Sequence, residues 1–196
     1  MLYHNAVMLK NPDILQRRML SPEEVAERGF RIEELHLRFS NGAERHFRRI
    51  PVFSRPAVLI VPMLDLETVL LIREYSAGLH QYQLQLPKGG IDANETVLQA
   101  ANRELQEEVG KAAKQLRHIN TFSVLPGFMA QSTNIVLAQD LYDQRLPGDE
   151  PEPLEVVPWP MHKLMDLAQR EDCTEARSLA ALYFVRDYLA QGSYTK

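Results

Sequence analysis

Apolar residues recur along the chain at two spacings, and the change from one to the other marks its elements. In "EELHLRFSNGAERHFRRI", Leu35, Leu37 and Phe39 alternate with polar residues, the period of a half-buried strand. Asn41-Gly42 follows, a dipeptide that favours a tight reversal, so the pattern predicts a β-hairpin. Upstream, "SPEEV" marks a helix start, with Ser21 as N-cap, Pro22 in the first turn and Glu24 closing a capping box. Residues 1–50 are therefore expected to form a small β-rich subdomain, and residues 51–196 a larger domain.

Beyond Pro51 the apolar runs become continuous. "AVLIVPM" and "TVLLIREY", separated by "LDLE", are β-branched runs suited to core strands. "QYQLQLP" alternates again, with Tyr82, Leu84 and Leu86 on one face and glutamines on the other. Gly89-Gly90 is expected to break the chain. The period then becomes helical: Leu98, Ala101, Leu105 and Val109 form one stripe, with Asn94 as the expected N-cap and Gly110 as the stop. Strands are expected at "INTFSV" and "NIVLAQ", a helix at "MHKLMDLAQ", and a last helix over residues 174–189, with Leu179, Leu182, Val185 and Leu189 inward. The mixture predicts an α/β (α+β) sandwich with helices packed on a mixed sheet.

Bulk properties narrow the function without choosing it. A chain of 196 residues with 45% hydrophobic and 24% charged residues is an ordinary globular one. Its net charge of -4 argues against electrostatic binding of nucleic acid. The one cysteine, Cys173, excludes an intrachain disulfide framework and suits a reducing compartment. No activating motif surrounds it, so it reads as a packing residue. "MLYHNAVMLK" lacks the pattern of a signal peptide, and "PAVLIVPML" is far shorter than the ~20 residues of a membrane helix. The expectation is a cytoplasmic protein that engages neither nucleic acid nor membrane.

The candidate chemistry lies in "RELQEEVG", residues 103–110. Glu104, Glu107 and Glu108 crowd one helix edge, where like charges at such spacing cost roughly 0.2–0.5 kcal/mol per pair. Such a run ordinarily marks a solvated face. The alternative is a hard divalent cation, which prefers oxygen ligands and turns repulsion into coordination.

The longer stretch "GGIDANETVLQAANRELQEEVGK" separates these readings. It resembles the Nudix box, G-x5-E-x7-R-E-U-x-E-E-x-G-U with U aliphatic, at Gly89, Glu95, Arg103, Glu104, Leu105, Glu107, Glu108 and Gly110. Lys111 departs from it where an aliphatic residue is usual. Resemblance to Nudix hydrolases implies an α/β/α sandwich and hydrolysis of a phosphoanhydride with Mg2+, Mn2+ being an alternative. It implies Glu104 and Glu108 as metal ligands and Glu107 as a further ligand with a catalytic part. Arg103 and Glu95 would hold the carboxylates in place, while Gly89 and Gly110 shape the backbone around them.

Other stretches bear on the substrate. "FSNG", "LIREY", "ANRELQEEVG", "NIVLAQDLY", "GDEPEPL" and "EAR" resemble the bacterial ADP-compounds hydrolase and ADP-ribose pyrophosphatase subgroup over residues 30–190. This implies an ADP moiety joined to a second group, as in ADP-ribose, NADH or diadenosine triphosphate. It also implies a homodimer built through residues 1–50. Pro126, sixteen residues after Gly110, fits ADP-ribose-type enzymes; it fits a turn before Gly127 equally well. The SQPWPFPxS motif of dedicated NADH pyrophosphatases is absent. In the acidic loop "GDEPEPLE" the resemblance implies a general base, Glu152 first and Glu150 second, against a merely solvated loop. Arg73, Glu74 and Tyr75 end a core strand, Arg73 being expected on a phosphate and Tyr75 on the adenine; Lys88 is another phosphate candidate. Two alternatives stand beside this expectation: a house-cleaning nucleoside-triphosphate pyrophosphohydrolase, and a ligand sensor without turnover. The complete glutamate set argues against the sensor.

Overall fold

In a computed structural model, which describes residues 11–16, 18–27, 31–51 and 56–192, the N-terminal alternation forms a hairpin. Before it lies helix α1 (Pro22–Glu27), where Ser21 N donates to Glu24 Oε2 at 2.9 Å and Glu24 N to Ser21 Oγ, completing the expected capping box. Strands β1 (Glu33–Arg38) and β2 (Glu44–Arg49) pair antiparallel, with Leu35 opposite Phe47. The reversal is a three-residue loop rather than a two-residue turn. Phe39 N donates to the Ala43 carbonyl, and Gly42 takes φ +82°, the left-handed position such loops need. Leu37, Phe39 and Phe47 remain exposed on one face of the hairpin.

The continuous apolar runs become β3 (Ala57–Pro62) and β4 (Thr68–Ser76), each buried on both faces. They are followed by β5 (Gln81–Gln85), β6 (Lys88–Gly90), α2 (Val97–Glu104), β7 (Lys111–Ser123), β8 (Ser132–Asp143), β9 (Glu155–Pro160), α3 (Leu164–Ala168) and α4 (Ala176–Ala190). One sheet has the order β6-β3-β8-β7, with β3 and β8 parallel; the other is β5-β4-β9, antiparallel throughout. Alternate residues of β3 and β4 feed two cores. Leu59, Val61, Val69 and Leu71 pack with Leu164, Leu167, Leu182 and Val185 of α3 and α4. Val58, Ile60, Leu70 and Ile72 pack with Ala100, Ala101 and Leu105 on the α2 side. Helices on both faces of the sheets make the α/β/α sandwich expected from the sequence. No helix among the described residues is long and apolar enough to cross a membrane.

Three local expectations change. Gly89-Gly90 does not break the chain but forms β6, because Gly89 lies opposite Val58 on β3. Thr96, not Asn94, caps α2, and Leu98 turns outward at 37% exposure while Val97 packs against the core in its place. The glutamines on the other face of β5 are buried as well, Gln83 at 1% and Gln85 at 4%. Each has a polar partner that sequence spacing does not reveal: Thr174 donates to Gln83, and Gln85 donates to Glu74.

Candidate active site

Helix α2 starts at a reciprocal cap in which Gln99 N donates to Thr96 Oγ1 and Thr96 N to Gln99 Oε1. After Glu104 it widens into one π-helical turn, Leu105–Val109, where Gly110 N–H donates to the Leu105 carbonyl five residues back. Gly110 closes the turn at φ +75°, a conformation that favours glycine. Such turns are rare and gather at functional sites. Glu104 and Glu108 are both turned inward here, at 9% and 7% exposure.

Arg103 answers the repulsion among the carboxylates. Its Nε donates to Glu95 at 2.7 Å, Nη1 to Glu104 at 2.8 Å and to Glu107 at 2.9 Å, and Nη2 to the Gly90 carbonyl at 2.9 Å. These bonds, the one to Glu95 foremost, hold the guanidinium more firmly protonated than usual. Glu108 stands apart from that fork. It accepts the Lys88 backbone N–H at 2.9 Å, and burial pushes its pKa up to about 8 against the pull of the nearby ammonium. Burial likewise raises Glu104 above the ordinary carboxylate range.

Gly89 leaves the room in which Glu104 lies: a Cβ added there would come within 2.0 Å of the Glu104 carboxylate. Around this point opens a cleft of about 360 Å³, within the ~300–1,000 Å³ usual for small-molecule sites. Its charged lining comprises the carboxylates of Glu74, Glu104, Glu107, Glu108, Asp149 and Glu150, and the cations Lys88 and Arg177. Among the described residues no three His, Cys, Asp or Glu side chains are grouped as a ready metal cage, and the Arg103 guanidinium bridges Glu104 and Glu107. The donor set nevertheless fits a divalent cation: hard oxygens, a buried carboxylate whose charge lacks full compensation, and a glycine cradle beside it.

The expected site residues divide between this cleft and its surroundings. Lys88 lines it, its ammonium 2.6 Å from Glu74. Strand alternation turns Glu74 to the α2 side with Leu70 and Ile72, and so turns Arg73 and Tyr75 away. Arg73 donates to Glu155 at 2.8 Å and Asp172 at 2.6 Å, so its guanidinium is already committed. Tyr75 bonds His80 and sets its ring edgewise to Tyr82. Glu150 lines the cleft, whereas Glu152 accepts a bond from the Tyr82 hydroxyl and lies outside the lining. The start of the loop is fastened along the π turn, where Gln144 N donates to the Gly110 carbonyl and Leu146 N to that of Gln106. Pro126 is exposed in a turn closed by Phe128 N and the Leu125 carbonyl, and does not line the cleft. Cys173 is buried, its thiol pushed up to about 11 by desolvation.

The comparisons with known proteins agree with this architecture. Residues 53–182 match the NUDIX domain, and residues 12–49 match the NudE-type Nudix hydrolase N-terminal domain. The chain belongs to the Nudix family of hydrolases. Family members acting on ADP compounds generally depend on a divalent metal. More particularly, the chain is 46% identical over 172 residues to the ADP compounds hydrolase NudE of Escherichia coli K12, covering 87% of this chain and 92% of that protein. It is 24% identical over 157 residues to the ADP-ribose pyrophosphatase of Bacillus subtilis 168, covering 79% and 83%. A crystal structure of an ADP compounds hydrolase superposes with a TM-score of 0.75 at 43% identity, covering 95% of this chain and 99% of that one.

Proposed function

We propose that the protein is a Mg2+-dependent pyrophosphohydrolase that cleaves ADP linked to a group X, such as ADP-ribose, NADH or diadenosine triphosphate, into AMP and X-phosphate. The observation that carries this reading is the buried Glu108 carboxylate beside Glu104 and the Gly89 cradle. The ADP half is supported by similarity to enzymes named for ADP compounds and ADP-ribose. A bound divalent cation supplies charge neutralisation at the diphosphate and a more acidic water. Glu104, Glu107 and Glu108 would hold it. Arg103 and Glu95 keep the carboxylates aimed, and the Lys88 N–H fixes Glu108. Glu150, rather than Glu152, takes the proton of the attacking water. Its carboxylate lines the cleft, and burial raises its proton affinity.

The test is a comparison of kcat/KM in Mg2+ for the three ADP compounds and for deoxynucleoside triphosphates, with AMP as the common product. A triphosphate turned over better than all three establishes the house-cleaning reading instead. No turnover of any substrate, with ligand binding retained, establishes the sensor.

Residues 1–50 serve, in this reading, as a dimerisation subdomain beside the hydrolase domain of residues 51–196. An isolated two-stranded hairpin is marginal in water, and this one leaves Leu37, Phe39 and Phe47 exposed. Among the described residues it joins the sandwich through the bridge between Ile50 and Met129. A homodimer that covers the apolar face is expected. Light scattering that finds a monomer at micromolar concentration refutes it.

A further inference from the structure

One of the two cations lining the cleft has no role in the chemistry described above. The Lys88 ammonium is held by Glu74, whereas Arg177 reaches the cleft from the first turn of α4. That turn is fastened tightly. The Glu175 carboxylate accepts the backbone N–H groups of Arg177 at 3.3 Å and Ser178 at 2.7 Å, and the Ser178 hydroxyl at 2.8 Å. The same hydroxyl accepts Leu86 N at 3.0 Å, which ties α4 to the segment leading to Lys88. Glu175 also takes Arg177 Nε at 2.6 Å. Burial opposes the charge on Glu175, but the bonds from Arg177 and Ser178 hold its carboxyl below the ordinary range. Among the described residues, the two terminal nitrogens of Arg177 donate to no protein acceptor. A guanidinium clamped through Nε thus presents its outer fork, the geometry that suits paired phosphate oxygens.

We propose that Arg177 binds the substrate's diphosphate through its two terminal nitrogens, and that Glu175 is the positioning residue that aims it. The inference rests on the cleft being a diphosphate site, and goes beyond the metal-binding glutamates to a second grip on the same anion. Hard carboxylates under a cation serve one side of the diphosphate. Without Arg177, the remaining protein cation in the lining is an ammonium already paired with Glu74.

The test measures binding of imidodiphosphate, a hydrolysis-resistant diphosphate, to the full chain in Mg2+ by calorimetry, together with KM and kcat for ADP-ribose. Charge-assisted bonds of this kind correspond to about tenfold to a hundredfold in affinity. R177Q is expected to weaken imidodiphosphate binding by that factor and to raise KM with little change in kcat. R177K keeps the charge but not the fork and should fall between. E175Q retains an acceptor for the helix cap and should cause a smaller rise in KM. The double variant should be no worse than R177Q, because Glu175 acts through Arg177. Melting curves identify any variant that fails to fold, and R177K then decides. No imidodiphosphate binding by the unaltered protein, or binding within twofold in R177Q and R177K, overturns the proposal. If imidodiphosphate binding falls in R177Q while no ADP compound is turned over, the substrate reading fails and Arg177 keeps its role.

Discussion

Glu108→Gln is expected to lower kcat by about a thousandfold or more while raising the melting temperature of the metal-free protein. The loss follows from removing a charged ligand whose contribution is several kcal/mol, at ~1.4 kcal/mol per tenfold in rate. The gain in stability has a separate cause. Glutamine has the same shape and still accepts the Lys88 N–H through Oε1, but it carries no charge that burial opposes. The pH dependence gives the sign. Glu108 titrates near 8 in the folded protein, against an ordinary 4.5, so the folded state holds a proton that the unfolded chain releases. This contribution is complete below about pH 4 and is lost as pH rises through 8. The metal-free protein should therefore lose stability from Glu108 between pH 5 and 8.5, and Glu108→Gln should remove that part of the decline. Mg2+ requires the ionised carboxylate, so its stabilising effect should grow over the same range. Glu104→Gln should reduce kcat similarly. Melting curves in chelator and in Mg2+ at each pH, with kcat at saturating Mg2+, check every part. Near-normal turnover by Glu108→Gln would refute its assignment as a ligand.

What was legible in the sequence was whatever is local. The box glutamates, Arg103 and Glu95 lie within fourteen residues of one another, and a helix with one wide turn brings them together without help from distant strands. Continuous apolar runs likewise announced β3 and β4. The rest depended on pairing. Arg73 and Glu74 are neighbours in sequence, but only the packing of Leu70 and Ile72 beneath α2 decides that Glu74 faces the cleft. The burial of Gln83 and Gln85 was not legible, because their partners, Thr174 and Glu74, arrive from elsewhere in the chain. Arg177 was visible as part of "EAR" but without a role, since its approach to the cleft requires the bond from Leu86 to Ser178, ninety-two residues apart. The acidic loop offered two glutamates with nothing local to separate them; in the fold Glu150 lines the cleft while Glu152 accepts the Tyr82 hydroxyl, a partner seventy residues away.

That separation leads to the second large effect. Glu150→Gln is expected to lower kcat by about a hundredfold to a thousandfold, the range for losing a positioned general base, and Glu152→Gln by no more than about threefold. Both glutamates belong to one Pro-rich loop, so a general disturbance of the loop would affect the two variants alike. Their surroundings differ. Glu150 lines the cleft with Asp149, and burial, reinforced by the charges of Glu74 and Asp149, raises its carboxyl above the ordinary range. Glu152 instead receives the Tyr82 hydroxyl at an exposed position. A base must be unprotonated to act, so a raised pKa moves the acid limb of the pH profile to higher pH. If Glu104 and Glu108 bind the metal as proposed, both are ionised at saturating Mg2+, and the limb that remains reports the base. Glu150→Gln should flatten that limb as well as lower the plateau, while Glu152→Gln should leave it in place. A larger loss in Glu152→Gln, with the acid limb of Glu150→Gln unchanged, would return the base to Glu152 and require the loop to rearrange when substrate binds.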